Sequence, residues 1–241
     1  MSDRIFSIVS PADVANNSFR LEENESHHIH RVLRRTVGDE IWLIDGLGSA
    51  YRGKITHLFP TVRGKIEETF TNFGENHRPV HVGMAVLKRT ALEKAVEQAT
   101  EFGATSIHFL RTDRVVNKKT NIERLQKIVK AASKQCGRAN FLSLKAPVDF
   151  KKFIAELDTE KYETICCHWI GKQRITSMAK GSTKPILILI GPEGDFSPTE
   201  LDLLKKKSIS FVTLGERRLR AESALSTALA VVNETMLGVT P

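Results

Sequence analysis

Ile186-Leu187-Ile188-Leu189-Ile190 is an unbroken apolar run, and Gly191-Pro192-Glu193-Gly194-Asp195-Phe196-Ser197 follows it directly. Such a run is typical of a central strand in a parallel sheet, because both faces of that strand are covered. A glycine-rich turn at the carboxyl end of such a strand is where α/β sheets bind ligands. Ser197, Pro198 and Glu200 then match the N-cap, first and third positions of a helix. The stretch therefore predicts an α/β domain, with either a ligand site or only a well-capped connection at this turn.

Strands and helices alternate on both sides of this stretch, from Val80 to the end of the chain. This alternation predicts a mostly parallel sheet covered by helices on both faces. The predicted strands are Val80–Leu87, Ser106–Leu110, Phe141–Leu144, Thr164–Cys167, Pro185–Ile190 and Ile209–Leu214. The predicted helices are Thr90–Phe102, Asn121–Cys136, Asp149–Leu157, Pro198–Lys207 and Ala221–Leu237.

The first part of the chain has a different pattern, with short strands at close spacing. We predict strands at Arg4–Val9, Glu40–Ile44, Tyr51–Leu58 and Val62–Phe70, with a hairpin turn at Asp45-Gly46-Leu47-Gly48. One short helix is predicted at Ser26–Arg35, with Ser26 as its cap. The pattern indicates a small β-barrel in residues 1–75, a polar linker at Thr71–Pro79 and the α/β domain in residues 76–241.

The composition favours an intracellular globular protein. Hydrophobic residues make up 41% and charged residues 27% of the chain, which is enough apolar material for a core. The three cysteines form no CxxC pair, and His27, His28 and His30 lie too close together on one segment to form a metal site. No apolar run approaches the roughly 20 residues that span a bilayer, and Asp3 and Arg4 interrupt any signal peptide. We therefore expect a cytoplasmic protein without a metal or a membrane partner.

Positive charge is concentrated in one part of the chain. The formal net charge is +8, yet residues 1–78 hold 10 Lys and Arg against 11 Asp and Glu, whereas residues 111–152 hold 12 against 3. Such a field attracts a polyanion, with nucleic acid the first candidate and an acidic membrane surface the second. No amphipathic membrane helix is evident, so nucleic acid is favoured, with a solvated basic surface as the alternative.

The helix predicted at Asn121–Cys136 carries much of this charge on one face. Its cations recur every three or four residues and repel one another, while only Glu123 lies nearby in the sequence. Phosphates lying across the face would relieve this repulsion. The pattern favours RNA contact over a plain solvated face, through Arg124, Lys127, Lys130, Lys134 and Arg138.

A second loop of interest is Leu214-Gly215-Glu216-Arg217-Arg218-Leu219-Arg220-Ala221-Glu222-Ser223-Ala224, which follows a predicted strand and opens the last helix. Loops after two strands of one parallel sheet converge, so we expect a shared pocket. The last helix is apolar, and charges buried beside it must be paired or used. Arg220 and Glu222 are therefore either an ion pair or catalytic residues.

These residues resemble a known family. The chain is similar nearly end to end to the bacterial small-subunit ribosomal RNA uracil-N3 methyltransferases, the RsmE family of the SPOUT superfamily. The resemblance lies in His28, Val32-Leu33-Arg34, Gly38-Asp39, Lys88-Arg89, Ala99-Thr100-Glu101-Phe102-Gly103, Ala131–Arg138, Ile190–Gly194 and Leu219–Ala224. Asp195 stands where the family usually has glycine, and Ser223 where it usually has threonine.

The resemblance implies a fold, a cofactor and a partner. The expected fold is a PUA-like β-barrel followed by a SPOUT-type α/β domain with a C-terminal deep trefoil knot, in a homodimer. The implied cofactor is S-adenosylmethionine, and the implied substrate is 16S ribosomal RNA of the small subunit. The implied cofactor-binding residues are His168, Ile190, Gly191, Pro192, Gly194, Leu214, Gly215 and Leu219. The RNA-binding set gains Arg31, Arg34, Arg35 and Arg114.

The implied reaction transfers a methyl group to N3 of an unpaired uridine, which must first lose its proton. We expect Arg220 to stabilise negative charge on the uracil oxygens, and Glu222 to be a base or an orienting partner. An arginine is almost never deprotonated, so Arg220 is not the base. Two alternatives stay open: a methyltransferase of another RNA such as transfer RNA, and a non-catalytic RNA-binding ribosome-assembly factor.

Overall fold

The computed structural model describes residues 4–115, 120–179 and 183–237. The chain forms two compact units, Met1–Glu75 with Lys130–Phe141, and Asn76–Val129 with Leu142–Pro241. Lys130–Phe141 thus clusters with the first unit, although the pattern of strands and helices assigns it to the second. The physical reason is apolar packing, because Ala139 and Phe141 pack against Phe6 and Trp42 of the first unit.

The first unit is built on a six-stranded sheet. Its strands are β1 (Phe6–Ile8), β2 (Val14–Ala15), β3 (Ser18–Arg20), β4 (Glu40–Ile44), β5 (Ser49–His57) and β6 (Arg63–Thr71), in the order β1-β4-β5-β6-β3-β2. β1 is parallel to β4, and the remaining pairs are antiparallel. The predicted turn does join β4 to β5, and the Asp45 carboxylate closes it by accepting the amides of Leu47 and Ser49 at 2.8 and 3.0 Å.

Strand β4 is apolar on both faces because it separates two clusters of buried side chains. Side chains alternate between the faces of a strand. Ile41 and Leu43 enter the larger cluster, while Trp42 and Ile44 enter the smaller one. Two faces of the same strand therefore anchor the whole unit.

The helix of this unit begins earlier than the sequence predicts. Helix α1 (Glu23–His27) continues into a π-helical turn at His28–Val32, where the Leu33 amide donates to the His28 carbonyl at 3.0 Å. Ser26 is therefore not the cap. It lies inside the helix, where its buried hydroxyl donates to the Leu21 carbonyl at 3.3 Å and accepts the Val62 amide at 2.9 Å.

The second unit contains a seven-stranded parallel sheet. Its strands are β7 (Val80–Ala85), β8 (Ser106–Arg111), β9 (Ser143–Asp149), β10 (Glu163–Cys167), β11 (Gln173–Arg174), β12 (Ile186–Ile190) and β13 (Ser210–Thr213), in the order β11-β13-β10-β12-β7-β8-β9. Its helices are α2 (Arg89–Glu101), α3 (Ile122–Cys136), α4 (Phe150–Glu156), α5 (Ile175–Ala179), α6 (Pro198–Lys206) and α7 (Ala221–Leu237). By the division above, the last residues of α3 belong to the first unit.

The sheet order confirms that Ile186–Ile190 is a central strand. β12 lies between β10 and β7, and all five of its side chains are buried. Helix α7 packs against α2, α5 and β12, and Leu225, Ala228, Leu229 and Val232 are fully buried there. The apolar character of both segments thus follows from their central position.

The predicted helix start at Ser197 is confirmed as a complete capping box. The Ser197 hydroxyl accepts the Glu200 amide at 3.2 Å, and the Glu200 carboxylate accepts the Ser197 amide at 2.8 Å. Glu200 is fully buried, and its second oxygen accepts the Asp113 amide at 2.8 Å, so both carboxylate oxygens are satisfied. This network fixes the end of the 191–197 loop.

Candidate active site

A cavity of about 340 Å³ lies at the carboxyl ends of β10, β12 and β13, the three neighbouring strands near one end of the sheet. Both loops that the sequence indicated line it, so their predicted convergence is confirmed. The lining residues are Cys167, His168, Trp169, Ile190, Gly191, Pro192, Glu193, Asp195, Thr213, Leu214, Gly215, Arg217, Arg218, Leu219, Arg220, Ala221 and Ala224.

Two arginines from different segments hold the loop after β12. The Arg114 guanidinium donates to the Gly194 carbonyl at 2.7 Å, and that of Arg218 donates to the Glu193 carbonyl at 3.3 Å. The Lys88 amide adds a hydrogen bond to the Glu193 carboxylate at 3.3 Å. The shape of the cavity wall therefore depends on cations, and Arg114 serves this loop whether or not it also contacts RNA.

His168 brings a buried donor to the cavity. It is 8% exposed, and its Nδ1 accepts the Ile170 amide at 3.2 Å, so the ring proton sits on Nε2. Nε2 lies 3.0 Å from the Asp195 carboxylate, in electrostatic contact with it but outside the alignment of a full hydrogen bond. Burial lowers the pKa of His168, and the nearby Asp195 opposes that shift. The burial of the ring and the hydrogen bond at Nδ1 thus favour His168 as a hydrogen-bond donor to the cavity through Nε2.

Asp195 has an unusual backbone conformation for its residue type. Its φ is 67°, in the left-handed region that favours glycine, which is the residue the related family usually has here. The carboxylate accepts its neighbour's amide, that of Phe196, at 2.8 Å, a local bond that makes this conformation accessible to aspartate. With Glu193, the side chain gives the cavity a second carboxylate beside its three arginines.

Arg220 and Glu222, the predicted catalytic pair, lie in different surroundings. Arg220 is exposed and lines the cavity, together with Arg217 and Arg218. Glu222 is 8% exposed and lies outside the lining, and no ion pair joins it to Arg220 within the described part of the chain. The alternative of a structural ion pair is therefore wrong, and a direct role for Glu222 in the cavity gains no support from its position.

Seven of the eight predicted cofactor-binding residues line the cavity. Gly194 lies outside the lining, and its carbonyl is the acceptor for Arg114. Gly215 has a φ of 131°, and a Cβ there would meet no described atom within 4 Å, so the backbone at this position is open to a ligand. Trp169, which is 78% exposed, is a lining residue that sequence reasoning missed. Its only signal was its position beside His168.

The thiols near the cavity are unreactive. Burial raises the pKa of the Cys167 thiol to about 12 and raises that of Cys166 well above its usual value. The nucleophile and metal ligand is a thiolate, so neither cysteine serves as one at neutral pH. No group of three or more metal-ligating side chains occurs in residues 4–115, 120–179 and 183–237. In the same residues, no helix is long and apolar enough to cross a membrane.

The basic face of α3 is largely neutralised by acids from elsewhere in the chain. Arg124 pairs with Glu93, Lys134 binds both Glu25 oxygens at 2.8 and 2.9 Å, and Arg138 pairs with Glu75 at 2.7 Å. These three cations therefore need no phosphates to relieve their repulsion, contrary to the prediction from the sequence, because tertiary folding supplies the missing acids.

The members of the predicted RNA-binding set differ in exposure. Arg138 is 2% exposed, so RNA contact at this residue is ruled out by burial. Lys127 and Lys130 are exposed and have no ion pair among the described residues, and the arginines of the first unit, Arg31 and Arg34, are exposed too. Arg35 is half-buried.

Comparison with known proteins agrees with this geometry. Residues 74–233 match the family model of the RNA methyltransferase domain, and residues 21–61 match that of the RNA methyltransferase PUA domain. A Synechocystis protein named ribosomal RNA small subunit methyltransferase E is 30% identical over 231 residues, covering 94% of this chain and 76% of the relative. The chain belongs to the ribosomal RNA small subunit methyltransferase E family. The resemblance noted in the sequence is thereby confirmed.

Two solved structures share this fold. The ribosomal RNA small subunit methyltransferase E of Neisseria gonorrhoeae, bound to S-adenosyl methionine, has a TM-score of 0.86 at 21% identity over 96% of this chain and 97% of that one. A Legionella pneumophila protein in complex with the same cofactor has a TM-score of 0.81 at 25% identity over 96% and 97%. The mixed α/β fold with a PUA-like first unit is thus that of the family.

Proposed function

We propose that this chain is an S-adenosylmethionine-dependent methyltransferase that methylates N3 of a uridine in 16S ribosomal RNA of the small subunit. One observation carries the proposal. In a chain of this family, the loops after β12 and β13 and the residues after β10 line one cavity with a buried hydrogen-bond donor and three arginines.

The cavity residues fit the cofactor. The Nε2–H of His168 and the open backbone at Gly215 offer polar contacts to a ligand, and the side chains of Ile190 and Leu219 offer an apolar surface for its adenine ring. The carboxylates of Glu193 and Asp195 provide negative charge for a cationic ligand. When bound, S-adenosylmethionine supplies an electrophilic methyl group on a sulfonium.

The residues of the chain would act on the uridine. N3 faces the pairing partner in a duplex, so the base must be unpaired or flipped out before it enters the cavity. Loss of the N3 proton to water leaves negative charge on the uracil oxygens, which Arg220 at the cavity wall would stabilise. Arg217 and Arg218 line the same wall, and Arg218 also holds the 191–195 loop in place.

We also propose the finer features that the resemblance implies. These are a C-terminal trefoil knot, a homodimer, a cytoplasmic location, and RNA contact through Arg31, Arg34, Arg35, Arg114, Lys127 and Lys130. The strand order supports a chain crossing near the cavity, because β13 pairs with β10 and so lies on the far side of β10 from β12. Exposure of Lys127 and Lys130 without acidic partners among the described residues supports phosphate contact there.

A methyl-transfer assay tests the proposal. The purified chain is incubated with labelled S-adenosylmethionine and, in parallel, undermethylated small subunits, naked ribosomal RNA or transfer RNA, and the modified nucleoside is identified after digestion. We expect N3-methyluridine from the ribosomal substrates. Label in transfer RNA alone would refute the substrate, and no label with no cofactor binding by calorimetry would refute the enzyme and leave an RNA-binding assembly factor.

Arg220→Ala tests the site in the same assay. Removing one donor that stabilises transition-state charge lowers kcat by about 10²–10³-fold. Arg174→Ala is the matched control, because Arg174 is exposed on β11 and lies outside the cavity lining. Equal activity of the two variants would refute the role of Arg220.

A further inference from the structure

The first unit has a cavity of its own, of about 410 Å³, between the helical segment after β3 and the turn before β6. Its lining combines an aromatic ring with polar and charged side chains. The lining residues that matter here are Glu23, Asn24, His27, His30, Arg31 and Phe59.

Phe59 is exposed in spite of being firmly anchored. Its side chain is 67% exposed, whereas its neighbour Leu58 packs against the core and nearby Val62 is fully buried. Val62 is also tied by two hydrogen bonds of 2.9 Å, from its amide to the Ser26 hydroxyl and from the Leu21 amide to its carbonyl. The chain on both sides of Phe59 is therefore held in place, and the turn presents the ring to solvent in a fixed position.

The rings and charges around Phe59 suit a nucleobase. The imidazole of His30 meets the phenyl ring edge-on, with centroids 4.7 Å apart, so an open ring face remains for stacking. The π-helical turn at His28–Val32 brings His30 and Arg31 to the same cavity as His27 at the end of α1, and π-helical turns are frequent at functional sites. Unpaired bases bind proteins by stacking on such rings, with hydrogen bonds to the base edges.

The charged side chains of the cavity indicate where the base and the phosphate of a nucleotide would lie. Glu23 and Asn24 line the cavity, where a carboxylate would repel a phosphate but accept hydrogen bonds from the N–H groups of a base. Arg31 is exposed and lines the same cavity, where it can pair with the backbone phosphate. The cavity thus has an acceptor for a base edge and a cation for the phosphate.

We propose that this cavity binds one unpaired nucleotide of the RNA substrate, with its base stacked on Phe59 and its phosphate beside Arg31. The proposal rests on the proposed function for the identity of the RNA. It deepens that function by adding a recognition site, within the first unit, for a nucleotide other than the one in the active-site cavity.

Binding of short RNA to the full chain tests the proposal. Fluorescence anisotropy is measured with labelled ten-nucleotide single-stranded RNAs at several salt concentrations. Phe59→Ala should raise Kd by about 5- to 150-fold, the effect of losing one stacked base, and should leave the salt dependence unchanged. Arg31→Ala should instead reduce the slope of log Kd against log salt by about one.

Two further variants separate stacking from general damage. Phe59→Trp keeps an aromatic face and should bind as tightly as the unchanged chain. Leu47→Ala removes another side chain that is 74% exposed in the same unit and should leave Kd unchanged. Phe59→Ala binding as tightly as Leu47→Ala would overturn the proposal, as would equal weakening by Phe59→Trp and Phe59→Ala.

Methylation of undermethylated small subunits distinguishes this inference from the proposed function. Phe59→Ala should raise KM and leave kcat within about two-fold, because the residue is not in the active-site cavity. An active chain with an unchanged KM in this variant overturns the nucleotide site alone. An inactive chain that still binds RNA through Phe59 overturns the enzyme alone.

Discussion

Arg138→Met should destabilise the first unit without weakening RNA binding. Arg138 is 2% exposed, and its Nε and Nη2 donate to the two oxygens of Glu75 at 2.7 and 2.8 Å. The Glu75 side chain is 15% exposed, so both charges of this pair are largely removed from water. Methionine keeps most of the buried volume and removes the charge.

The size of the effect follows from the buried charge that is left behind. Removing one partner of a buried ion pair costs about 3–5 kcal/mol, because the remaining charge is desolvated and unpaired. Adding Glu75→Gln to Arg138→Met should recover part of this free energy, because the double variant leaves neither partner as an unpaired buried charge. The double variant should therefore be more stable than the sum of the two single changes predicts, with an interaction of about 1–3 kcal/mol.

Urea unfolding measures these free energies in the full chain. The two tryptophans lie in different units, and Trp42 is 7% exposed in the first, so its fluorescence reports that unit. Lys130→Met is the matched control, a cation exposed on the same helix, and should change the free energy of unfolding by less than about 0.5 kcal/mol. A cost under about 1 kcal/mol for Arg138→Met, together with a shallower salt dependence of RNA binding, would show that Arg138 contacts phosphate rather than stabilising the first unit.

Three further changes test the second unit and the sheet of the first. Burial lowers the pKa of His108 from 6.5 to about 4, so the unfolded chain takes up a proton at higher pH than the folded chain does. The free energy of unfolding should therefore fall by up to about 3 kcal/mol as pH falls from 6.5 to 4. The urea midpoints at pH 7 and pH 5 should differ less in His108→Leu than in the unchanged chain, and an equal difference would contradict this. Ser197→Ala removes the cap of α6 and should cost about 1–2 kcal/mol in thermal unfolding, whereas an unchanged Tm would mean that Glu200 holds the helix start alone. Gly64→Ala places a Cβ against the Lys54 carbonyl, whose position is fixed by the pairing of the neighbouring strand. The change should destabilise the first unit by more than about 2 kcal/mol. An unchanged urea midpoint, followed by Trp42 fluorescence, would show that the two strands can separate to make room.

The elements with strong periodic patterns were predictable from the sequence. Helix α3 begins one residue after its predicted start, and α7 and the β4 strand have the predicted bounds. Short elements were missed, including β2, β3, β11 and α5, which have two to five residues each. Segments of that length are too short to show a period, and neighbouring strands or helices stabilise them.

The two loops of the candidate site were predictable from the sequence, but the segment after β10 was not. Ile190–Pro192 and Leu214–Arg220 carry glycines, arginines and a strand before them, which are local signals. Trp169 follows β10, and only the strand order β13-β10-β12 shows that this segment lies between the two loops. Strand order is a long-range property that a local pattern does not contain.

Local sequence is enough to predict the α/β class, the central strand at Ile186–Ile190, the capped helix after it and the family, because each depends on neighbouring residues or on a whole motif. The tertiary structure alone decided which charges are available. Glu25, Glu75 and Glu93 lie far in sequence from Lys134, Arg138 and Arg124, yet folding pairs them. An ion pair forms over a few ångströms of space regardless of the number of residues between its partners, so a basic face read along one helix overstates the charge that the folded protein presents.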